Sequence, residues 1–442
     1  MSTAGGERAG PRAWRPTTSL GRALVVGALG VALAVASGEP AVVVLVAPFV
    51  TLAALGLVHR PTRVPALDAR LDHLTLREGI GTTSRLSVTD AEDVEYVARV
   101  AGQAPYVVMR PHGGREGRLL DGGATPEIEI SPRRWGRRML GQEKVALYAP
   151  WAGFRCGPVG LGGQWTRVLP AVAPYDSRAQ APQPVGLVGA HRSRRAGSGT
   201  ELAGIRPFQA GDRLRRVNWR VSLRTGDLHV VTTRAEEDTG VLLVLDALVD
   251  LGVSDGVDGA SSSLDLGVRA ASAIAEHHVR QGDRVALRVI GRGHEQVGYG
   301  AGARHLRRLQ DQLATVRVGA TADRESDTGV LQLGVTAGAV VVVLSPMLAE
   351  SVGTTAAMLT RRGVAVLVVD TLPDEAVPDV PESADPARAA LAWRMRMLER
   401  SVVLERLAAL GCPVVAWRGP GTVDDVLRRL ARRAQLPRVV GR

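Results

Sequence analysis

Two apolar runs dominate the start of the chain. Leu20 to Ser37 is apolar apart from Arg22, Pro40 to Val58 carries no charge, and only Gly38-Glu39 lies between them. Each run approaches the roughly 20 residues that cross a bilayer core as a helix, which predicts a transmembrane helical hairpin over 20–60 behind a basic tail at 1–19. From 61 to 182 the pattern shortens to period two, as in Leu86-Ser87-Val88, Tyr96 to Val100, Glu127 to Ile130 and Val145 to Tyr148, with Gly, Pro and Asp between. Such alternation with recurrent turn residues predicts a small antiparallel β-sandwich. A Pro/Gly-rich stretch from Ala179 to Gly199 reads as a linker inside a 183–240 segment. From 241 to 442, apolar strands alternate with amphipathic helices.

Those strands are predicted at Val241–Leu245, Val285–Ile290, Val340–Leu344, Val364–Val369 and Pro413–Trp417. One helix is predicted over Leu264–Arg280, with Leu266, Ala270, Ala273, Ile274 and His277 on its buried face and Gly282 as its C-cap. Others are expected at Arg304–Val316 and Pro386–Leu410, and Thr422-x-x-Asp425 is a capping box for a last helix. Strict β/α alternation implies a Rossmann-like parallel sheet covered on both faces. Ligands of such sheets bind beyond the carboxyl ends of the strands, here Asp246, Ser345 and Asp370.

Basic residues place the hairpin. Arg8, Arg12, Arg15 and Arg22 precede it or lie at its start, and His59, Arg60, Arg63 and Arg70 follow it. By the positive-inside rule both ends are cytoplasmic, giving a two-helix membrane protein with cytoplasmic soluble domains. The competing reading is a secretory signal with its apolar core at Ala23–Ser37. A second apolar run straight afterwards argues against it, because cleavage would leave a new hydrophobic N-terminus.

The net charge is +11, with 55 basic residues of which Lys144 is the only lysine. Replacement of Lys by Arg on that scale is the mark of a GC-rich genome, so most arginines require no functional account. A positive balance still favours anionic partners, nucleic acid or lipid. Arg133, Arg134, Arg137 and Arg138 around Trp135 read either as a solvated loop or as a patch for anionic headgroups. Aromatic residues make up 3% of the chain, too few for an extended base-stacking surface. Cys156 and Cys412 match no metal or disulfide spacing.

The densest cluster of polar chemistry lies between Gly199 and Val230. It contains Gly199-Thr200-Glu201, Arg206-Pro207-Phe208, Gly211-Asp212-Arg213, Arg216-Val217-Asn218-Trp219 and Ser222-Leu223-Arg224-Thr225-Gly226. Val217 to Val221 alternates as a strand, and Gly211-Asp212 signals a turn. This run resembles the signature of the family catalogued as domain of unknown function 58: Gly-x-Glu, Arg-x-Tyr/Phe, Gly-Asp, Arg-x-x-x-Trp and Ala/Ser-x-Arg-x-Gly. Trp151 to Pro158 is similar to the family's Arg-Gly-x-Tyr-x-Leu-Gly-Pro segment, with Pro150-Trp151 in place of the leading arginines. The resemblance implies a small β domain between hairpin and signature, and a von Willebrand factor A-like fold for the α/β region. It also implies a partnership with MoxR-type AAA+ ATPases.

Glu201, Arg206, Gly211, Asp212, Arg215, Arg216, Trp219, Arg224 and Gly226 are therefore the candidate interaction residues. Two roles stay open for them. Arginines forking onto Glu201 and Asp212, with Trp219 packed on the α/β core, would make an architectural network. The same arginines would otherwise dock an acidic partner.

Metal-binding A domains carry Asp-x-Ser-x-Ser after the first strand, hard oxygen ligands suited to Mg²⁺. Here the loop is Asp246-Ala247-Leu248-Val249-Asp250. Leu248 cannot ligate, Asp250 replaces a hydroxyl, and Ser345-Pro346 stands where Ser-Asp or Thr-Asp is expected. Thr321 and Thr328 are both open for the remaining position. The loop is a degenerate site, and no cofactor or divalent cation is expected; Asp246 is left to cap the following turn or pair with a motif arginine. No phosphate loop, nucleophile elbow or His-Glu-x-x-His is present, Gly291-x-Gly293 lacks a third glycine in register, and His277-His278 has no third ligand by sequence. The expectation is a non-enzymatic membrane-anchored adaptor or assembly protein. Nucleic-acid binding, anionic-lipid binding and a hydrolase built on Glu201 and Asp212 are the alternatives.

Overall fold

The computed structural model describes residues 13–120, 125–171, 192–209, 214, 217–236, 240–291, 296–319, 335, 339–377, 385–418 and 422. The chain forms two compact units, one of residues 1–171 with 255–258, the other of 172–254 with 259–442.

The first unit begins with a short strand, β1 (Trp14–Pro16), then α1 (Thr18–Ser37) and α2 (Pro40–Val58). Thr17 caps α1 by accepting from the Leu20 amide, and Gly38 takes the left-handed conformation (φ 71°) that lets the chain reverse into α2. Both helices are long and apolar enough to cross a membrane. They pack as a pair because glycines on α1 meet valines on α2. A Cβ on Gly27 would stand 3.3 Å from Val50 Cγ2, and one on Gly30 would overlap Val46. The opposite faces expose Val25, Leu29, Val35, Val44 and Leu45.

The base of the hairpin is tied down. β1 pairs antiparallel with a strand of the following sheet, Thr17 Oγ1 donates to the Ala152 carbonyl (2.6 Å), and Gly56 touches Gly153 backbone to backbone. Leu20, Ala23, Ala53, Ala149 and Phe154 close a small core there.

Eleven strands follow: β2 (Ala66–Leu71), β3 (Thr75–Arg77), β4 (Thr82–Thr89), β5 (Tyr96–Ala101), β6 (Val107–Arg110), β7 (Arg115–Leu119), β8 (Ile128–Pro132), β9 (Gly136–Leu140), β10 (Glu143–Tyr148), β11 (Phe154–Leu161) and β12 (Gln164–Leu169). They form antiparallel sheets ordered β1-β11-β10-β5-β7 and β2-β4-β8-β6, and a third, β3-β12-β9, in which β3 and β12 run parallel. One core draws Leu67 and Leu86 from the second sheet and Val97, Val145, Leu147 and Cys156 from the first. The period-two runs fall on β4, β5, β8 and β10, with Leu86, Val97, Ile128, Ile130, Val145 and Leu147 inward; on β5, however, Tyr96 and Val100 are exposed and Arg99 is buried.

The second unit carries β13 (Arg192–Pro207), α3 (Trp219–Thr225), β14 (His229–Glu236), β15 (Gly240–Asp246), α4 (Ser263–Arg280), β16 (Arg284–Ile290), β17 (Gln296–Gly300), α5 (Ala303–Leu313), β18 (Val340–Ser345), α6 (Glu350–Arg361), β19 (Ala365–Asp370), α7 (Pro386–Ala409) and β20 (Val414–Ala416). β13 and β14 form an antiparallel ribbon. The remaining strands form one sheet, β17-β16-β15-β18-β19-β20. β15 and β18 are buried along their whole length, which is why they read as unbroken apolar runs.

Several sequence expectations need correction. The linker expected to Gly199 gives way to β13 at Arg192. Val217–Val221 is not a strand: only Val217 pairs, with Val230, and Asn218 then caps α3 by accepting from the Val221 amide (3.2 Å). The sheet is mixed, because β17 runs antiparallel on its edge. On α4 the buried histidine is His278, with His277 half-exposed, and the C-cap is Gln281, with Gly282 following it at φ 89°. Arg137 and Arg138 lie on β9 rather than in a loop. Of the predicted last helix, Asp425 falls outside the described residues.

Candidate functional site

Two places in the second unit hold the residues singled out by sequence. The first is the ribbon and helix built from β13, α3 and β14. Ser222 ties the turn together: its hydroxyl donates to the Asn218 carbonyl (2.8 Å) and accepts from the His229 amide (2.9 Å). Thr225 Oγ1 meets His229 Nδ1 at 3.1 Å, and Gly226 ends the helix at φ 82°. Arg206, opposite Val230 in the ribbon, donates to the Pro207 carbonyl.

Internal ties hold α3 by Asn218 and Ser222, which leaves its large side chains outward. Trp219 is 61% exposed and Leu223 is 83% exposed. Arg220 and Arg224 lie beside them and are exposed as well. This overturns the expectation that Trp219 packs on the α/β core. The helical period aligns Trp219 with Leu223 instead, giving an apolar pair bordered by two cations. Glu201 contributes backbone to β13; Gly211, Asp212, Arg215 and Arg216 lie outside the described residues.

The second place is the carboxyl end of the parallel strands. From β15 the chain moves to β16 on one side, and from β18 to β19 on the other. The strand order therefore reverses between β15 and β18, where Asp246 and Ser345 sit. Asp246 Oδ2 accepts from Ser345 Oγ at 2.6 Å, and Oδ1 accepts from the Leu248 amide at 3.0 Å. Ser345 Oγ in turn accepts from the Met347 amide (2.8 Å). Burial raises the Asp246 carboxyl above the ordinary carboxylate range, and the bonds from Ser345 and Leu248 oppose that shift.

Asp370 repeats the arrangement one strand on. Its Oδ1 accepts from the Leu372 amide (3.0 Å), and Oδ2 is paired with Arg400 from α7. Arg400 Nε also donates to the Pro346 carbonyl (2.7 Å), so one guanidinium bridges the ends of β18 and β19. Asp250 supports the first turn of α4, whose N-cap is Ser262, by accepting from Ser263 Oγ (3.3 Å) and the Leu264 amide (3.0 Å). Of the two uses the sequence left for Asp246, the turn cap is therefore present. Among the described residues no cluster of three His, Cys, Asp or Glu is placed to hold a metal ion. Thr321 and Thr328 lie outside them.

Sequence reasoning missed three partnerships. Arg400 is a helix residue whose partner comes from another strand end, and Ser345 meets Asp246 across 99 residues. His278, fully buried, holds Asp283 Oδ2 through Nδ1 at 2.8 Å. No local pattern announces any of them, although Asp283 follows His278 closely. In the first unit, the arginines around Trp135 are held on rings: Arg134 and Arg138 on Tyr106, and Arg137 on Trp165.

Residues 204–388, from the end of β13 to the first turn of α7, match the family described as Protein of unknown function DUF58. The chain carries a DUF58 domain. The match takes in α3 with Trp219 and Arg224, and the Asp246, Ser345 and Asp370 strand ends; most of β13 and Arg400 lie outside it. No curated protein matches this chain.

Proposed function

We propose that this protein is a non-enzymatic, membrane-anchored adaptor. In this reading the hairpin crosses the bilayer, both folded units face the cytoplasm, and the DUF58 domain binds other proteins as the partner of a MoxR-type AAA+ ATPase in complex maturation. The finer architecture is a transmembrane hairpin, a β-sandwich and a von Willebrand factor A-like domain whose metal loop has lost its hydroxyl ligands.

The hairpin carries the reading. Two helices of 20 and 19 residues keep Val, Leu and Ala on their outward faces while Gly27 and Gly30 of one meet Val50 and Val46 of the other in the seam. Such a surface is stable in lipid and costly in water. Arginines flank both ends, which favours the cytoplasmic side. Two further features support docking over catalysis. Asp246, Asp250 and Asp370 spend their oxygens on internal hydrogen bonds, and the exposed Trp219–Leu223 pair with Arg220 and Arg224 suits an acidic, partly apolar partner.

Crosslinking with mass spectrometry in native membranes tests the reading. The expected result is membrane-bound protein crosslinked to an AAA+ ATPase through α3. Freely soluble full-length protein removes the anchor. A C-terminal tag labelled only from outside the cell reverses the topology. Repeated absence of any ATPase removes the partner, and salt-sensitive retention of DNA or RNA on filters would favour the nucleic-acid alternative.

A further inference from the structure

α7 is a helix of 24 residues with one fully buried side chain, Leu407. Val403, Leu404 and Leu407 pack on the core of the sheet, and Arg400 reaches Asp370. On another face, Leu391, Met395, Leu398 and Val402 are exposed by 60, 57, 67 and 43%. Their spacing of four, three and four residues is the alternation of a two-helix seam. Soluble surfaces seldom leave three turns of aligned Leu, Met and Val in water.

What covers this seam is written in its ends. Continuing the alternation by three residues outward reaches Arg388 on one side and Glu405 on the other, both exposed. A second copy laid parallel would set Arg388 against Arg388 and Glu405 against Glu405. Laid antiparallel about a twofold axis, it sets Arg388 against Glu405 at both ends, Leu391 against Val402, and Met395 against Leu398. The seam is thus self-complementary in one orientation and self-repelling in the other. Arg388 already has one acidic neighbour on its own helix, Asp385 at 3.4 Å, and a second carboxylate from the other copy would complete a pair of acids around it.

We infer that α7 is a homodimerisation face, on which two copies of this chain pair their α7 helices antiparallel, with Leu391, Met395, Leu398 and Val402 inside and Arg388–Glu405 pairs at each end. The inference stands apart from the anchor and from the ATPase partner.

The test uses full-length protein in detergent. Leu391→Cys and Val402→Cys variants carrying different tags are mixed under mild oxidation; Cys156 and Cys412 are buried and serve as the wild-type background. The expected product is the mixed 391–402 disulfide. Leu391→Cys alone should crosslink weakly, since the antiparallel register separates the two 391 positions by about 16 Å along the axis. Arg388→Glu should weaken dimerisation by about tenfold or more, and adding Glu405→Arg should restore it. A dimer held only by the hairpin would ignore both charge changes. A monomer at every concentration, equal homotypic and mixed crosslinking, or indifference to Arg388→Glu overturns the inference. Crosslinking that emerges only after deletion of residues 423–442 assigns the face to the chain's own tail and overturns it equally.

Discussion

Ser345, the last residue of β18, donates a hydrogen bond from its hydroxyl to Asp246, the last residue of β15, at 2.6 Å in a site closed to solvent. The bond joins the two strands at the point where the sheet reverses its order, where α/β folds ordinarily open a crevice. Ser345→Ala would leave a buried carboxylate oxygen unmatched and cost about 1–3 kcal/mol. Denaturant unfolding of the purified protein measures the loss. A change below about 0.5 kcal/mol would mean that water or another group replaces the hydroxyl.

The pH dependence of this site has a definite sign. Burial raises the Asp246 carboxyl in the folded protein above its ordinary value of 3.8. The folded state therefore holds the proton more tightly than the unfolded state does. Stability from this group is complete below the unfolded value and is lost as pH rises through the raised folded value. Asp246→Asn keeps an acceptor for the Leu248 amide and carries no titrating proton. Relative to wild type it should gain stability as pH rises above the ordinary carboxylate value, read as a converging or crossing pair of melting curves. Parallel curves would exclude a raised carboxyl.

Much of this architecture is legible in the sequence, for physical reasons that also mark where legibility ends. β15 and β18 are buried on both faces, so they stand out as apolar runs, and the hairpin stands out for the same reason. Val217–Val221 is ambiguous because five alternating residues satisfy a strand and one turn of helix alike. The Asn218 side chain settles the matter by capping the helix. Trp219 misleads through its type: a large apolar residue suggests a core, yet the buried position of this short helix is taken by Ser222, and Trp219 and Leu223 both face solvent. β17 escapes notice because Gln296-Val297-Gly298-Tyr299-Gly300 is short and glycine-rich, with its place fixed by the neighbouring β16. Ser345–Asp246 and Arg400–Asp370 are long-range contacts, and spacing along one strand or helix cannot disclose them.

A buried ion pair sits inside the first unit. Arg99 on β5 and Glu143 on β10 are both shielded from solvent, with Arg99 Nη2 2.7 Å from the carboxylate. Arg99 Nη2 also donates to Ser84 Oγ (2.8 Å), and Nη1 to the Ser84 carbonyl (3.1 Å) and to the Pro126 carbonyl. Desolvation pushes the Glu143 carboxyl up, and Arg99 pulls against it. Glu143→Leu strands the guanidinium and should cost about 3–5 kcal/mol, whereas the double change Arg99→Met with Glu143→Leu should recover most of that loss. Chemical unfolding of the three proteins checks it. A double variant as unstable as the single one would show that the backbone bonds of Arg99, not its pairing with Glu143, hold these strands.

The hairpin seam makes its own prediction. Gly30 faces Val46 so closely that a methyl group at position 30 overlaps the valine side chain, while Gly21 has nothing within 4 Å of an added Cβ. Gly30→Leu should force the helices apart at a cost of about 1–3 kcal/mol, and Gly21→Leu should not. Val46→Ala in the same chain should relieve part of the Gly30→Leu defect. Resistance of the hairpin to protease in detergent gives the ranking. Equal sensitivity of the Gly30 and Gly21 variants would mean that the helices do not meet along this seam.

Trp219 separates architecture from recognition. It stands 61% exposed on α3, and Leu223 is exposed one turn on, while Asn218 and Ser222 hold the helix from beneath. Trp219→Ala and Leu223→Ala should therefore change stability by no more than about 0.5 kcal/mol, as expected for surface positions. Ser222→Ala, which removes the acceptor of the His229 amide, should cost about 1–3 kcal/mol. If α3 is the docking face proposed above, the first two variants lose crosslinks to the proposed ATPase partner in membranes while melting like wild type. Retained crosslinks with wild-type melting would leave Trp219 without a role in recognition and move the docking face elsewhere on the DUF58 domain.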